Sequence, residues 1–199
     1  SGKEIRQLDD ESDFLHSKRL IYASIAAFRQ CLSSTCSGSV TKGNDIRAKE
    51  WQRCLELFWK SINTPEFLSS LAQEPVSPLE FSLCPIIACI ISQSLTEPEG
   101  IISQTGIIKE FSLELFRMNS VFEQVLNKVT PNLLTVLQDY LNGNLFVASE
   151  NLFQILSTLQ GLHRGLFGWE SDGNGRDLYF VLKLATFAMY ANAFVSFPI

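Results

Sequence analysis

Three times in this chain a hydroxyl residue is followed by proline, with apolar residues close behind. The copies are Thr64-Pro65-Glu66-Phe67, Ser77-Pro78-Leu79-Glu80 and Thr130-Pro131-Asn132-Leu133, and Thr96-Glu97-Pro98 is a looser one. The hydroxyl is suited to cap the first free backbone N–H groups of a helix. Proline suits the first helical position, where an N–H would have no partner anyway. Signals this close together demand short helices joined by tight turns. The chain therefore reads as all-α, with eight or nine short helices. They are expected to form either a HEAT/armadillo-like helical repeat or an irregular helical bundle. Hairpins recurring at about 35–45 residues suit stacking of that kind, although no repeat consensus is visible.

Periodicity places the individual helices. Residues 1–11 are polar and read as a disordered, tag-like N-terminus, leaving 12–199 as a single helical domain and a fragment of a longer protein. Ser12 or Asp13 is expected to cap a helix reaching about Leu32. Phe14, Leu15, Leu20, Ile21, Ile25, Ala26, Phe28 and Leu32 recur there at three- and four-residue steps, so they predict the inward stripe. The stretch 33–44 (SSTCSGSVTKGN) reads as a mobile loop. Asp45 is expected to cap a helix over 46–62, with Trp51, Cys54, Leu55, Phe58 and Ile62 inward. A short helix is predicted over 64–73.

The run Leu79–Leu95 (LEFSLCPIIACIISQSL) is almost wholly apolar and predicts the central, most buried helix. Pro85 inside it predicts a kink or a start shifted to Ser82. Helical pieces over 106–119 and 120–128 should meet at a Met118-Asn119-Ser120 corner. A helix over 131–141 should stop at Asn142-Gly143, because glycine supplies the left-handed conformation a helix end uses. The next runs from Leu145 to about Leu159, with Gly161 or Gly165 ending it. Asp177 caps a last helix to about Phe194, which is apolar on all sides and is expected to pack as an interior helix.

Hydrophobic residues make up 46% of the 199 positions and charged residues 19%, below the usual quarter. There is ample apolar surface for a core, and 15 phenylalanines point to thick helix–helix interfaces. The formal net charge is −5. A nucleic-acid partner is not expected, because such proteins carry a basic patch. The five cysteines, Cys31, Cys36, Cys54, Cys84 and Cys89, form no CxxC pair, and most lie in apolar runs. They read as buried hydrophobes of a reducing compartment, hence an intracellular protein, with Cys36 the exposed exception.

Catalytic and metal chemistry find little footing. Asp172-Gly173-Asn174-Gly175-Arg176-Asp177 begins like a calcium loop, but the twelfth position is Lys183 rather than a clamping acid. His16 and His163 are too far apart for a zinc motif, and there is no GxSxG or Walker loop. No cofactor or metal is expected. A dispersed site around His163, Glu150 and Asp139 is the enzymatic alternative. The helix 178–194 is about long enough to cross a bilayer, yet Lys183 sits within it, and a membrane span is not expected.

The layout of Leu79–Leu141 is similar to the helical, armadillo-like N-terminal regions of some large HECT-type ubiquitin ligases. There too an apolar helix precedes a Phe-rich helix and then Thr-Pro-x-x-Leu. The resemblance covers a third of the chain and is one of layout. It implies a substrate-binding helical region of a larger enzyme. The residues themselves favour a non-enzymatic interaction domain, a scaffold or adaptor that binds another protein through a groove or helix face. Phe111, Leu115, Phe116, Phe122 and Val125 are the candidate partner-binding residues. Self-association stays open on this reading, as does a membrane-associated helical protein using the C-terminal helix.

Overall fold

The structure, a computed structural model, describes residues 2–36, 44–73, 77–95, 111–129 and 131–162. The described residues form eight helices and no strand. They are α1 (Gly2–Cys36), α2 (Asn44–Ile62), α3 (Phe67–Gln73), α4 (Pro78–Leu95), α5 (Leu113–Met118), α6 (Ser120–Val129), α7 (Pro131–Leu141) and α8 (Leu145–Leu162). The all-α expectation holds. The readings at 37–43, 96–110 and 163–199, including the glycine-rich loop after Trp169 and the last helix, lie outside the described residues.

The proline signals do not all resolve alike. Ser77 is a working cap, because its hydroxyl accepts from the Leu79 N–H at 3.3 Å and its carbonyl from the Phe81 N–H at 3.0 Å. Pro78 then opens α4, so the start is not shifted to Ser82. Pro131 likewise opens α7. Thr64 departs from the expectation. Its hydroxyl donates back to the Lys60 carbonyl at 3.0 Å, closing α2 instead of opening α3, which starts only at Phe67. A threonine hydroxyl one turn beyond a carbonyl readily donates to it, and here that bond wins.

Other boundaries differ too. The first helix begins at Gly2 rather than at Ser12 or Asp13, and residues 2–11 are its first ten positions. Nothing in that stretch after Gly2 breaks a helix, and Lys3, Glu4, Arg6, Gln7 and Leu8 are good helix formers. At its other end the helix runs to Cys36, so residues 33–36 are helical and not loop. Thr35 supports that last turn by donating to the Cys31 carbonyl at 2.8 Å and accepting from Trp51 Nε1 at 3.3 Å. The corner at Asn119 is as expected. Asn119 Oδ1 accepts from the Val121 and Phe122 N–H groups, each at 3.0 Å, and its own N–H donates to the Phe116 carbonyl at 3.1 Å. Of the piece expected over 106–119, residues 111 and 112 are not helical and Ser112 caps α5 at Leu113, while 106–110 lie outside the described residues. Gly143, at φ 79°, ends α7 with paired bonds from Gly143 N to Tyr140 O and from Asn144 N to Asp139 O. That is a Schellman stop. Gly161 lies inside α8, which continues to Leu162.

Helix α4 is the hub, touching α1, α2, α5 and α6, and every residue from Glu80 to Ser92 is buried. By length and composition it is apolar enough to cross a membrane, yet 72% of it is covered by protein. Phenylalanines build the seams around it. The Phe81 ring meets Phe67 of α3 at 5.1 Å and Phe58 of α2 at 5.2 Å, while Phe28 of α1 meets Trp51 of α2 at 5.6 Å. The inward face of α2 is the expected one, with Trp51, Cys54, Leu55, Phe58 and Ile62 all buried. The face of α1 is not. Ile21, Ile25, Phe28 and Leu32 are buried, but Ser17 and Ser24 complete the stripe, whereas Leu15 is 50% exposed and Ala26 is on the surface. Small serines fit where helices approach closely, and a count of apolar residues overlooks them.

Candidate functional site

A second stripe runs along α2 beside its buried face. Gln52, Glu56, Trp59 and Asn63 recur at four-, three- and four-residue steps, so they line one flank of the helix and the turn after it. Three of the four meet the segment 111–119. The Gln52 amide pairs with both backbone groups of one residue: Nε2 donates to the Phe111 carbonyl at 3.3 Å, and Oε1 accepts from the Phe111 N–H at 3.1 Å. Nε2 also donates to Ser92 Oγ of α4 at 2.9 Å. Trp59 stacks obliquely on Phe111, centroids 6.4 Å apart, and edge-on against Phe116 at 5.6 Å. Asn119 Nδ2 donates to Asn63 Oδ1 at 3.1 Å.

The five candidate partner-binding residues divide on this frame. Phe116, Phe122 and Val125 are core, at 1%, 0% and 3% exposure, with Phe116 and Phe122 edge-on at 5.5 Å. They are not presented to a partner in this conformation. Phe111 and Leu115 are half-buried at the rim. Aromatic residues at helical spacing look alike whether they face core or surface, so sequence alone does not separate the two groups. Trp59 is a residue that sequence reasoning missed. Its signal is its place one residue after Phe58 on an amphipathic helix, where a tryptophan flanks the inward stripe instead of joining it. Together Trp59 and Phe111 make an apolar shelf edged by Gln52, Glu56 and Asn63, and half-buried Leu115 lies in the first turn of α5. Among the described residues the Trp59 indole N–H has no acceptor. Such a shelf suits contact with another polypeptide, to which a tryptophan offers apolar area and one donor.

The other polar groups are placed for structure. Glu80 is a buried carboxylate on α4, and Arg29 of α1 donates to its Oε1 at 3.0 Å. Burial, with the Glu80 carboxylate second, pushes the neighbouring Cys84 thiol well up, and burial does the same to Cys89. The Cys54 thiol is also pushed up, first by its hydrogen bond with Cys31 and then by burial. Thiols held protonated in this way are poor nucleophiles. Of the enzymatic set, Glu150 is exposed on α8, Asp139 serves the α7 stop by accepting from Asn144 Nδ2 at 3.5 Å, and His163 lies outside the described residues. Among the described residues no three His, Cys, Asp or Glu side chains gather to hold a metal ion. No protein-family model, curated protein or solved structure matches this chain.

Proposed function

We propose that this chain is a non-enzymatic helical interaction domain that binds another protein on the shelf of Trp59 and Phe111, beside Leu115. The observation that carries the reading is the contrast along one aromatic row. Phe116 is sealed in the core, while Trp59 and Phe111, both touching it or its neighbour, stay half-buried. Half-exposed tryptophan and phenylalanine on a rigid frame are the anchors that dominate protein interfaces. Cys31, Cys54, Cys84 and Cys89, read as reduced thiols, support an intracellular setting.

Helix contacts support stacked pairs as the scaffold for this role. α1 meets α3, α2 meets α4, α4 meets α6 and α5 meets α7, each two elements on, and α1 also meets α4. That alternation is how paired helices stack in repeat proteins. The test is site-specific photo-crosslinking in cells, with the probe at Leu115 and, as control, at Glu150. The expected outcome is a discrete adduct from position 115 that is absent from position 150. Trp59→Ala should abolish the adduct while leaving the helical circular dichroism intact. Equal labelling from both positions, or an adduct indifferent to Trp59→Ala, removes the shelf as the binding site.

A further inference from the structure

Two cysteines meet the same turn of the seam between α1 and α2. Cys31 is half-buried, and its Sγ donates to the Glu50 carbonyl at 3.6 Å. Cys54 is buried one turn beyond Glu50 on the same face of α2, and a helical side chain leans back toward the turn before it, so the Cys31 thiol sits over the turn that Cys54 faces. The register is held close by. Phe28 packs edge-on against Trp51 at 5.6 Å, and Trp51 Nε1 reaches Thr35 at 3.3 Å. Cys84 and Cys89 of α4 are sealed in the core, at 0% and 1% exposure. One cysteine is therefore partly open to solvent, and a second lies one helical turn away behind it.

We propose that Cys31 and Cys54 are a redox site at which a peroxide forms a disulfide stapling α1 to α2. The Cys31 thiolate attacks the peroxide oxygen, the O–O bond breaks, and the departing alkoxide or hydroxide takes up a proton. Cys31 is then a sulfenic acid. As the displaced hydroxide takes the Cys54 proton and leaves as water, the Cys54 sulfur so freed attacks the Cys31 sulfur and the S–S bond forms. Two thiols have lost two hydrogens and the peroxide has been reduced to water, or to an alcohol and water. Cys31 opens the reaction because it is the accessible member. Cys54 completes it because it lies one helical turn from the carbonyl that the Cys31 thiol touches.

The test uses hydrogen peroxide on the folded full chain carrying Cys36→Ser, since Cys36 shares the tryptic peptide 30–42 with Cys31. Remaining thiols are alkylated, and the chain is digested without reductant and mapped by mass spectrometry. The expected result is peptide 30–42 joined to peptide 54–60, with loss of free thiol at both positions and with Cys84 and Cys89 still reduced. Adding Cys31→Ser or Cys31→Ala should abolish the link and leave Cys54 reduced, with circular dichroism confirming the fold. Peroxide added in urea should scatter the pairings. The proposal fails if Cys31 passes to the sulfinic acid while Cys54 stays a free thiol. It also fails if Cys31 joins Cys84 or Cys89 as often as Cys54, or if the 31–54 link dominates equally in urea.

Discussion

Helix α4 and helix α6 lie against each other and obey opposite rules. In α4 every position from Glu80 to Ser92 is buried, whatever its place in the helical turn. In α6 the turn decides. Phe122, Val125 and Leu126 are buried, while Glu123, Gln124, Asn127 and Lys128 are exposed. An amphipathic helix has one face to defend, whereas a helix enclosed by four neighbours has none to spare. The lesson concerns tolerance. Substitution in α6 is judged by position in the turn, and in α4 by depth alone.

The sharpest way to break that contrast is a charge in α4. Ile87→Asp buries a carboxylate with no partner, a loss beyond about 4 kcal/mol against a typical total of about 5–15 kcal/mol. Circular dichroism should show loss of cooperative melting. If the variant melts like the parent, α4 is not enclosed as described. The second test is alkaline pH. Cys54, Cys84 and Cys89 stay protonated in the fold, while in the unfolded chain such thiols ionise near pH 9.0. Above that pH the unfolded state holds fewer protons, so stability is complete below about pH 9 and falls as pH rises. Each thiol contributes up to about 1.4 kcal/mol per pH unit. Urea denaturation at pH 8 and pH 10 would measure this, and Cys89→Ala should remove one share. No cysteine lies in α6 or α7, so the alkaline loss belongs to the α2–α4 side.

Smaller effects sharpen the α6 half of the contrast. Asn119→Ala removes the acceptor of two backbone N–H groups and the bond to Asn63, and should cost about 1–2 kcal/mol in a denaturant titration. A neutral result would mean that solvent caps α6 equally well. Glu123→Ala, on the exposed face of the same helix, should stay within about 0.5 kcal/mol of the parent. A larger loss would show that this face meets something.

Legibility in the sequence follows the same divide. The inward residues of α2, the stop at Gly143 and the corner at Asn119 can all be read from periodicity and turn chemistry, because each is decided within a few neighbouring residues. The depth of α4 is legible from its apolar run, but a run without a period says nothing about which neighbour each side chain meets. Serines 17 and 24 are illegible as core, since their burial depends on how closely another helix approaches. Thr64 misleads because a hydroxyl between two helices can serve either, and only the turn geometry chooses. The shelf is half legible. Phe111 and Leu115 stand out in the sequence, but Trp59 comes to Phe111 only because α2 meets the segment that enters α5.

Gln52 grips a peptide unit and not a side chain. It recognises position 111 by the N–H and C=O that almost every amino acid carries, so the anchor is blind to identity. Placement and chemistry are thereby assigned to different atoms of the same residue. The backbone of Phe111 sets where the chain enters α5, and the ring is released from that duty. Drift at 111 would change what the surface offers without moving the surface itself, so a lineage could vary its preferences here while its architecture stayed still.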